Sequence, residues 1–152
     1  MPERPTFHRV IVAVDGSRHS DLALAVAIAL AERDNARLAI LTVIPNVSDS
    51  TAALAYGVPV DPIAMQFEAD SGAERTMRKA IDAVPDEQPL DSVTRRGHAG
   101  PEIVAQVKEG RHDAVVLGAR GLGRIGALFG SVSQYVLHHA GVAVFVAHAP
   151  ED

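Results

Sequence analysis

Short, wholly apolar runs alternate along the chain with longer segments whose apolar residues recur every three or four positions, the pattern of strands and helices taking turns. Residues 10–14 form the first run, apolar at every position, and this predicts a strand buried on both faces. Asp15-Gly16-Ser17 breaks it, with Ser17 placed to cap a helix over residues 18–33. On that helix Leu22, Val26 and Leu30, flanked by Leu24 and Ile28, predict a wide apolar face, and the intervening alanines allow close approach to a sheet. Residues 38–44 give a second apolar strand, ended by Pro45.

Residues 46–63 carry Gly57, Pro59 and Pro62 without a sustained period and read as a long loop, either a binding segment or a tolerated insertion. A second helix is expected over residues 65–84, with Ala69, Ala73, Met77, Ala80, Ile81 and Val84 on one face and Glu74 paired with Arg78 one turn on. Its Met and Phe residues read as core. Residues 92–95 make a weak third strand, and Pro101 suits the first turn of a helix ending near Gly110. Residues 114–117 read as the fourth strand, Ser131 as the cap of a helix running to His139, and Val142-Ala143-Val144-Phe145-Val146 as the fifth. Strands alternating with helices predict an α/β fold, a doubly wound parallel sheet flanked by helices, in one domain spanning residues 1–152.

Composition narrows the function classes. A chain of 152 residues, 47% of them hydrophobic, buries one core and is short for two ordinary domains. A net charge of -5 leaves no electrostatic footprint for nucleic acid, so none is expected as a partner. The absence of cysteine removes thiol catalysis and disulfides and fits a reducing compartment. The start lacks the apolar stretch of a signal peptide, and the longest apolar run, residues 22–31, is about half of what a membrane span needs. A cytoplasmic location without membrane contact follows as the expectation.

The chemistry concentrates after the fourth strand. Five of the 12 glycines, Gly118, Gly121, Gly123, Gly126 and Gly130, fall in one short stretch. Glycines bring backbone N–H groups close to an anion and permit positive φ angles, and Gly130-Ser131 opens a helix whose unpaired amides attract negative charge. Ser131 and Ser133 add hydroxyl donors. Arg120 and Arg124 lie inside the loop and no Asp or Glu occurs from Gly118 to His148, so a net acidic chain is locally basic there, as a polyphosphate requires. Gly121-x-Gly123-x-x-Gly126 spells the dinucleotide fingerprint, but it follows the fourth strand and no acidic residue stands about 20 positions on. A phosphate-binding P-loop needs Gly-Lys-Ser/Thr, and the lysines are Lys79 and Lys108, both elsewhere, which argues against fast hydrolysis. The seven histidines are scattered and suggest no metal site.

With Gly118, Gly121, Gly130 and Ser131 in a Gly-x2-Gly-x8-Gly-Ser loop, followed by Val132-Ser133, the chain resembles the ATP-binding universal stress proteins. Their usual spacing between the second and third of these glycines is one residue longer. The resemblance extends to residues 10–15, the Leu41-Thr42-Val43-Ile44 strand end, Gly97-x2-Gly100-Pro101 and the closing Val-rich strand. It implies a strand order of 3-2-1-4-5, with Asp15 near the ribose and the phosphate-bound metal and the Val43 backbone at the adenine edge. Gly118, Gly121, Gly130, Ser131 and Ser133 would hold ribose and phosphates, with the local charge adding Arg120 and the loop's end adding Val132 to the binding set, the ligand being ATP or another adenine nucleotide with Mg. The family also implies a homodimer through the last strand, where Ala143 stands in place of the family's usual proline. Three readings follow: a nucleotide-binding stress-response module, a slow ATP hydrolase or phosphotransferase using Asp15, and a nucleotide-free interaction protein. Without the P-loop lysine or a paired acid and base, the sequence favours binding without dedicated catalytic machinery.

Overall fold

The structure, a computed structural model, describes residues 2–47, 61–119 and 130–150. Among them five strands and four helices alternate: β1 (Arg9–Ala13), α1 (Arg18–Asp34), β2 (Arg37–Ile44), α2 (Pro62–Asp82), β3 (Leu90–Arg96), α3 (Ala99–Glu109), β4 (Ala114–Gly118), α4 (Ser131–His139) and β5 (Ala143–Ala147). The strands form one parallel sheet in the order β3-β2-β1-β4-β5, as expected. Apart from Arg9, Arg37 and Thr42, the strands β1, β2 and β4 are apolar because both faces are covered. Val10, Val12 and Val14 point into the layer under α1 and α2, while Ile11 joins Leu41, Val115 and Leu117 under α3 and α4. Each such fully buried Val, Leu or Ile side chain contributes about 1.5–3 kcal/mol.

Helix α1 seats itself differently from its predicted face. Ala23, Ala27 and Ala31 are fully buried, with Leu24 beside them, whereas Leu22 is exposed and Val26, Ile28 and Leu30 are half-buried flanks. The alanine seam lets the helix axis approach the sheet, and the larger side chains then fit only at its margins.

Helix α2 begins earlier than its apolar period suggested, because Asp61 accepts the Ile63 N–H at 3.0 Å and Pro62 occupies the first helical position. Of its expected face Ala80 is buried and Met77 half-buried, Val84 is buried just past its end, and Ile81 is exposed. Phe67 is 71% exposed and Ile63 82%, so this phenylalanine is not core. Arg75 pairs with Glu68 at 3.4 Å, and the expected Glu74–Arg78 pair does not form among the described residues. Between α1 and α2 a groove remains open, floored by Val14, Leu24 and Ala80 and edged by Thr76 and Lys79.

On the opposite layer the two helices are in direct contact. A Cβ on Gly100 would come within 3.0–3.1 Å of the Tyr135 side chain, so this glycine allows α4 to lie directly on the start of α3. Among the described residues no helix is long and apolar enough to cross a membrane. Most of the loop expected over residues 46–63 lies outside the described residues.

Candidate functional site

Strand β1 runs between β2 and β4, so the chain leaves neighbouring strands in opposite directions at the β1/β4 junction. In an open parallel sheet a crevice opens at the carboxyl ends of such strands. Here it is lined, among others, by Asp15 after β1, Val43 on β2, Gly118 ending β4, and Val132 and Ser133 on α4. Counting its open mouth, it encloses about 500 Å³.

The β1–α1 turn is held by local hydrogen bonds. The Asp15 carboxylate accepts the Ser17 N–H at 2.9 Å, and Gly16 adopts φ +84° to make the bend. Ser17 Oγ caps α1 by accepting the Ser20 N–H at 3.2 Å. Ser20, only 3% exposed, donates through Oγ to the Ser17 carbonyl at 3.1 Å and accepts the Asp15 N–H at 3.2 Å. Thr42 Oγ1 donates to the Val14 carbonyl at 3.3 Å from the neighbouring strand. Asp15 is thereby carried on a braced turn, exposed at the crevice mouth.

Gly118 owes its identity to packing. A Cβ there would lie 2.5 Å from the His19 carbonyl carbon and 2.6 Å from the Ser20 nitrogen, so only glycine lets β4 end against the first turn of α1. Neither Gly118 nor Gly130 has positive φ; the left-handed glycines among the described residues are Gly16, Gly97 and Gly141. The positive φ expected of the glycines in this stretch is therefore not adopted at Gly118 or Gly130. Arg120 and Gly121, with Gly123, Arg124 and Gly126, lie outside the described residues.

Ser131 is not the cap of α4. Gly130 occupies that position with φ -70° and ψ 167° and no side-chain cap, and Ser131 is the first helical residue. A glycine cap leaves the first amides of the helix without a side-chain acceptor, as suits a helix end directed at an anion. Val132 and Ser133, on this first turn, line the crevice, and Ser133 is 2% exposed. Gly130 and Ser131 are not among the lining residues.

The other wall was not legible beforehand. Ala99 and Ile103 of α3 join Val43, Leu117 and Val132 in an apolar slot, opposite the polar end formed by Asp15, Ser17, Ser20 and Ser133. The available signal was Gly97-x2-Gly100-Pro101, which places α3 beside the strand ends. Arg95, the register partner of Val43, is spoken for: it donates to Glu102 at 2.9 Å, Gln106 at 3.1 Å and Glu109 at 2.8 Å. Its hydrogen bond to Glu109, and then that to Glu102, hold its guanidinium pKa above the ordinary arginine value, and the bond to Arg95 holds the Glu109 pKa below the ordinary carboxylate value. Arg96 is likewise paired, with Asp70 at 3.0 and 3.2 Å.

No group of three or more metal-ligating side chains occurs among the described residues. Among the described residues the lining contributes one carboxylate, Asp15. That donor set fits Mg held mainly by phosphate oxygens and water, which needs only one or two protein carboxylates.

A doubly wound α/β protein with a half-apolar, half-polar crevice at the switch point is the class that fold and site define. The chain matches the model of the Universal stress protein family over residues 6–148, and it belongs to that family. It is 32% identical over 136 residues to the universal stress protein encoded in the QAH/OAS sulfhydrylase 3' region of Thermus aquaticus, covering 88% of this chain and 93% of the relative. The fold is similar to that of the universal stress protein UspA from Lactobacillus plantarum, with a TM-score of 0.77, 25% identity, and 95% and 99% of the two chains covered. A universal stress protein solved in complex with cAMP matches with a TM-score of 0.60 and 26% identity, covering 95% of this chain and 98% of that one.

Proposed function

We propose that the crevice binds an adenine nucleotide, ATP with Mg in the first instance, and that the protein is a ligand-responsive module of the cytoplasm rather than a dedicated enzyme. The observation that carries this reading is the meeting of two polar turns across one slot. The first turn of α4 supplies amides and Ser133, and the Asp15 turn faces it next to Gly118, while Val43, Ala99 and Ile103 leave an apolar berth for a flat base. Helix amides favour the phosphates electrostatically. Asp15 would hold the Mg, whose chemistry is to neutralise phosphate charge; Gly130, Ser131 and the undescribed Arg120 and Gly121 complete the proposed set. The cAMP complex of the 26% identical relative supports the ligand class.

The same reading includes one folded unit that pairs with a second copy through β5, which lies at the sheet edge and so has main-chain groups open to a partner. A mass of twice 16.0 kDa in analytical ultracentrifugation is expected.

Calorimetry with ATP, ADP, AMP and cAMP, with and without Mg, on the wild type and Gly130→Asp tests the site. The carboxylate would sit at the mouth of the α4 amides, so binding should be present in the wild type and lost in the variant. Equal binding by both proteins rejects the site.

A further inference from the structure

One side chain that the nucleotide reading leaves unused joins two distant parts of the chain beside the crevice. His19 stands in the first turn of α1, and its Nδ1 accepts the Ala149 N–H at 2.9 Å, a contact across 130 residues. Its ring meets the His148 ring edge-on with centroids 5.1 Å apart. Next to it, Arg18 donates to the Pro150 carbonyl. Ala149 is buried under this contact, at 6% exposure. The backbone of His19 itself is what Gly118 packs against, and Ser17 and Ser20 on either side line the crevice.

An imidazole nitrogen accepts a hydrogen bond only through its lone pair, so the contact to Ala149 requires Nδ1 to be unprotonated and the ring proton to sit on Nε2. Once the ring gains a second proton, an N–H faces an N–H at the same distance, and the attraction turns into repulsion. Among the described residues, the titratable and charged groups at this contact are His148 on the segment and Arg18 on the helix; β4 presents the Gly118 backbone, which carries no charge. Within the described residues, neither of these two neighbouring side chains is a carboxylate, and a protonated His148 would add to the repulsion.

We propose that His19 is a proton-operated latch: neutral, it ties residues 148–150 to the first turn of α1, and protonated, it releases them and loosens the Ser17–Ser20 wall of the crevice. The segment it holds follows directly on β5, so the latch connects the edge strand with the crevice through a single side chain. The latch concerns the protein without ligand and stands whether or not a nucleotide binds.

Amide exchange followed by NMR on the full chain between pH 8 and pH 5, corrected for the intrinsic pH dependence of exchange, tests it. Loss of one net hydrogen bond changes the opening equilibrium about tenfold, so Ala149 protection should fall by about that factor in the wild type as imidazoles titrate. His19→Asn keeps an acceptor near the Nδ1 position without titrating, and its Ala149 protection should stay flat. The Val116 amide inside β4 reports that the fold is intact in both proteins. His148→Asn should keep the transition with a smaller loss. In the wild type the Gly118 and Ser20 amide shifts should move with the same midpoint as Ala149. Constant Ala149 protection in the wild type, or an equal loss in His19→Asn, overturns the latch; unmoved Gly118 and Ser20 shifts during a real release overturn its connection to the crevice. None of these readouts depends on a nucleotide.

Discussion

Gly118 and His19 touch backbone to backbone, with no room for a side chain: an added Cβ would stand 2.7 Å from the His19 carbonyl oxygen. Gly118→Ala must therefore push the end of β4 away from α1. Overpacking of this kind costs about 1–3 kcal/mol. The expected outcome is a lower urea midpoint with an unchanged slope, together with weakened nucleotide binding, measured by chemical denaturation and calorimetry. A variant as stable as the wild type would show that the contact relaxes freely.

Ser20→Ala should cost about 1–3 kcal/mol, because it removes the acceptor of the Asp15 N–H. The Ser17 carbonyl loses a donor as well. Ser17→Ala, which removes only the cap, should cost about 1 kcal/mol. Denaturation of the two single variants settles the order, and Ser20→Ala with the smaller cost would contradict it.

His112 is 6% exposed, and among the described residues neither ring nitrogen has a hydrogen-bond partner. Burial, and secondarily the nearby Arg9, push its pKa below the ordinary imidazole value. The unfolded chain thus takes up a proton at a higher pH than the folded one. Stability is complete above about pH 6.5, falls as pH drops below that, and levels once the folded imidazole is also protonated. Urea midpoints at pH 8, 7, 6 and 5 should show this slope in the wild type and a shallower one in His112→Leu.

The carboxylates act in a separate, lower window. Asp34 is held far below the ordinary range, first by its hydrogen bond to Arg33 and then by the Phe7 N–H, and Asp70 and Asp91 are lowered by Arg96 and Arg37. Their folded pKa values lie below the unfolded ones, so the stability they contribute is present above about pH 4 and lost as pH falls through the folded values. Asp34→Asn should flatten acid unfolding below pH 4 and leave the His112 slope untouched, in the same series of midpoints.

The Arg37–Asp91 pair, bidentate at 2.6 and 2.7 Å between β2 and β3, is a different case. Both side chains are nearly half exposed, so a double-mutant cycle should show only weak coupling despite the short distances.

The central strands were legible because the cores of β1, β2 and β4 are short apolar runs covered on both faces, and β5 was legible from a run of the same kind. Strand β3 looked weaker and shorter than it is because an edge strand alternates, and Asp91, Arg95 and Arg96 mask the pattern. The buried face of α1 was misjudged because size was taken for burial, whereas contact with a flat sheet selects Ala23, Ala27 and Ala31. At the site, Asp15, Val43, Gly118, Val132 and Ser133 do converge on one crevice. Ala99 and Ile103 escaped notice because an apolar wall on a distant helix has no local signature. The contact of His19 with Ala149 is invisible for the same reason: nothing near either residue specifies the other.

The two helical coats of the sheet differ in how far they can yield. On one side, Gly100 and Tyr135 leave α3 and α4 no slack, so any strain placed on the α4 end of the crevice is passed to α3 as a rigid displacement. On the other, the open groove between α1 and α2 lets those helices slide past one another without emptying a packed seam. Shape change in this molecule is therefore expected on the α1–α2 side, with α3 and α4 serving as the fixed jaw.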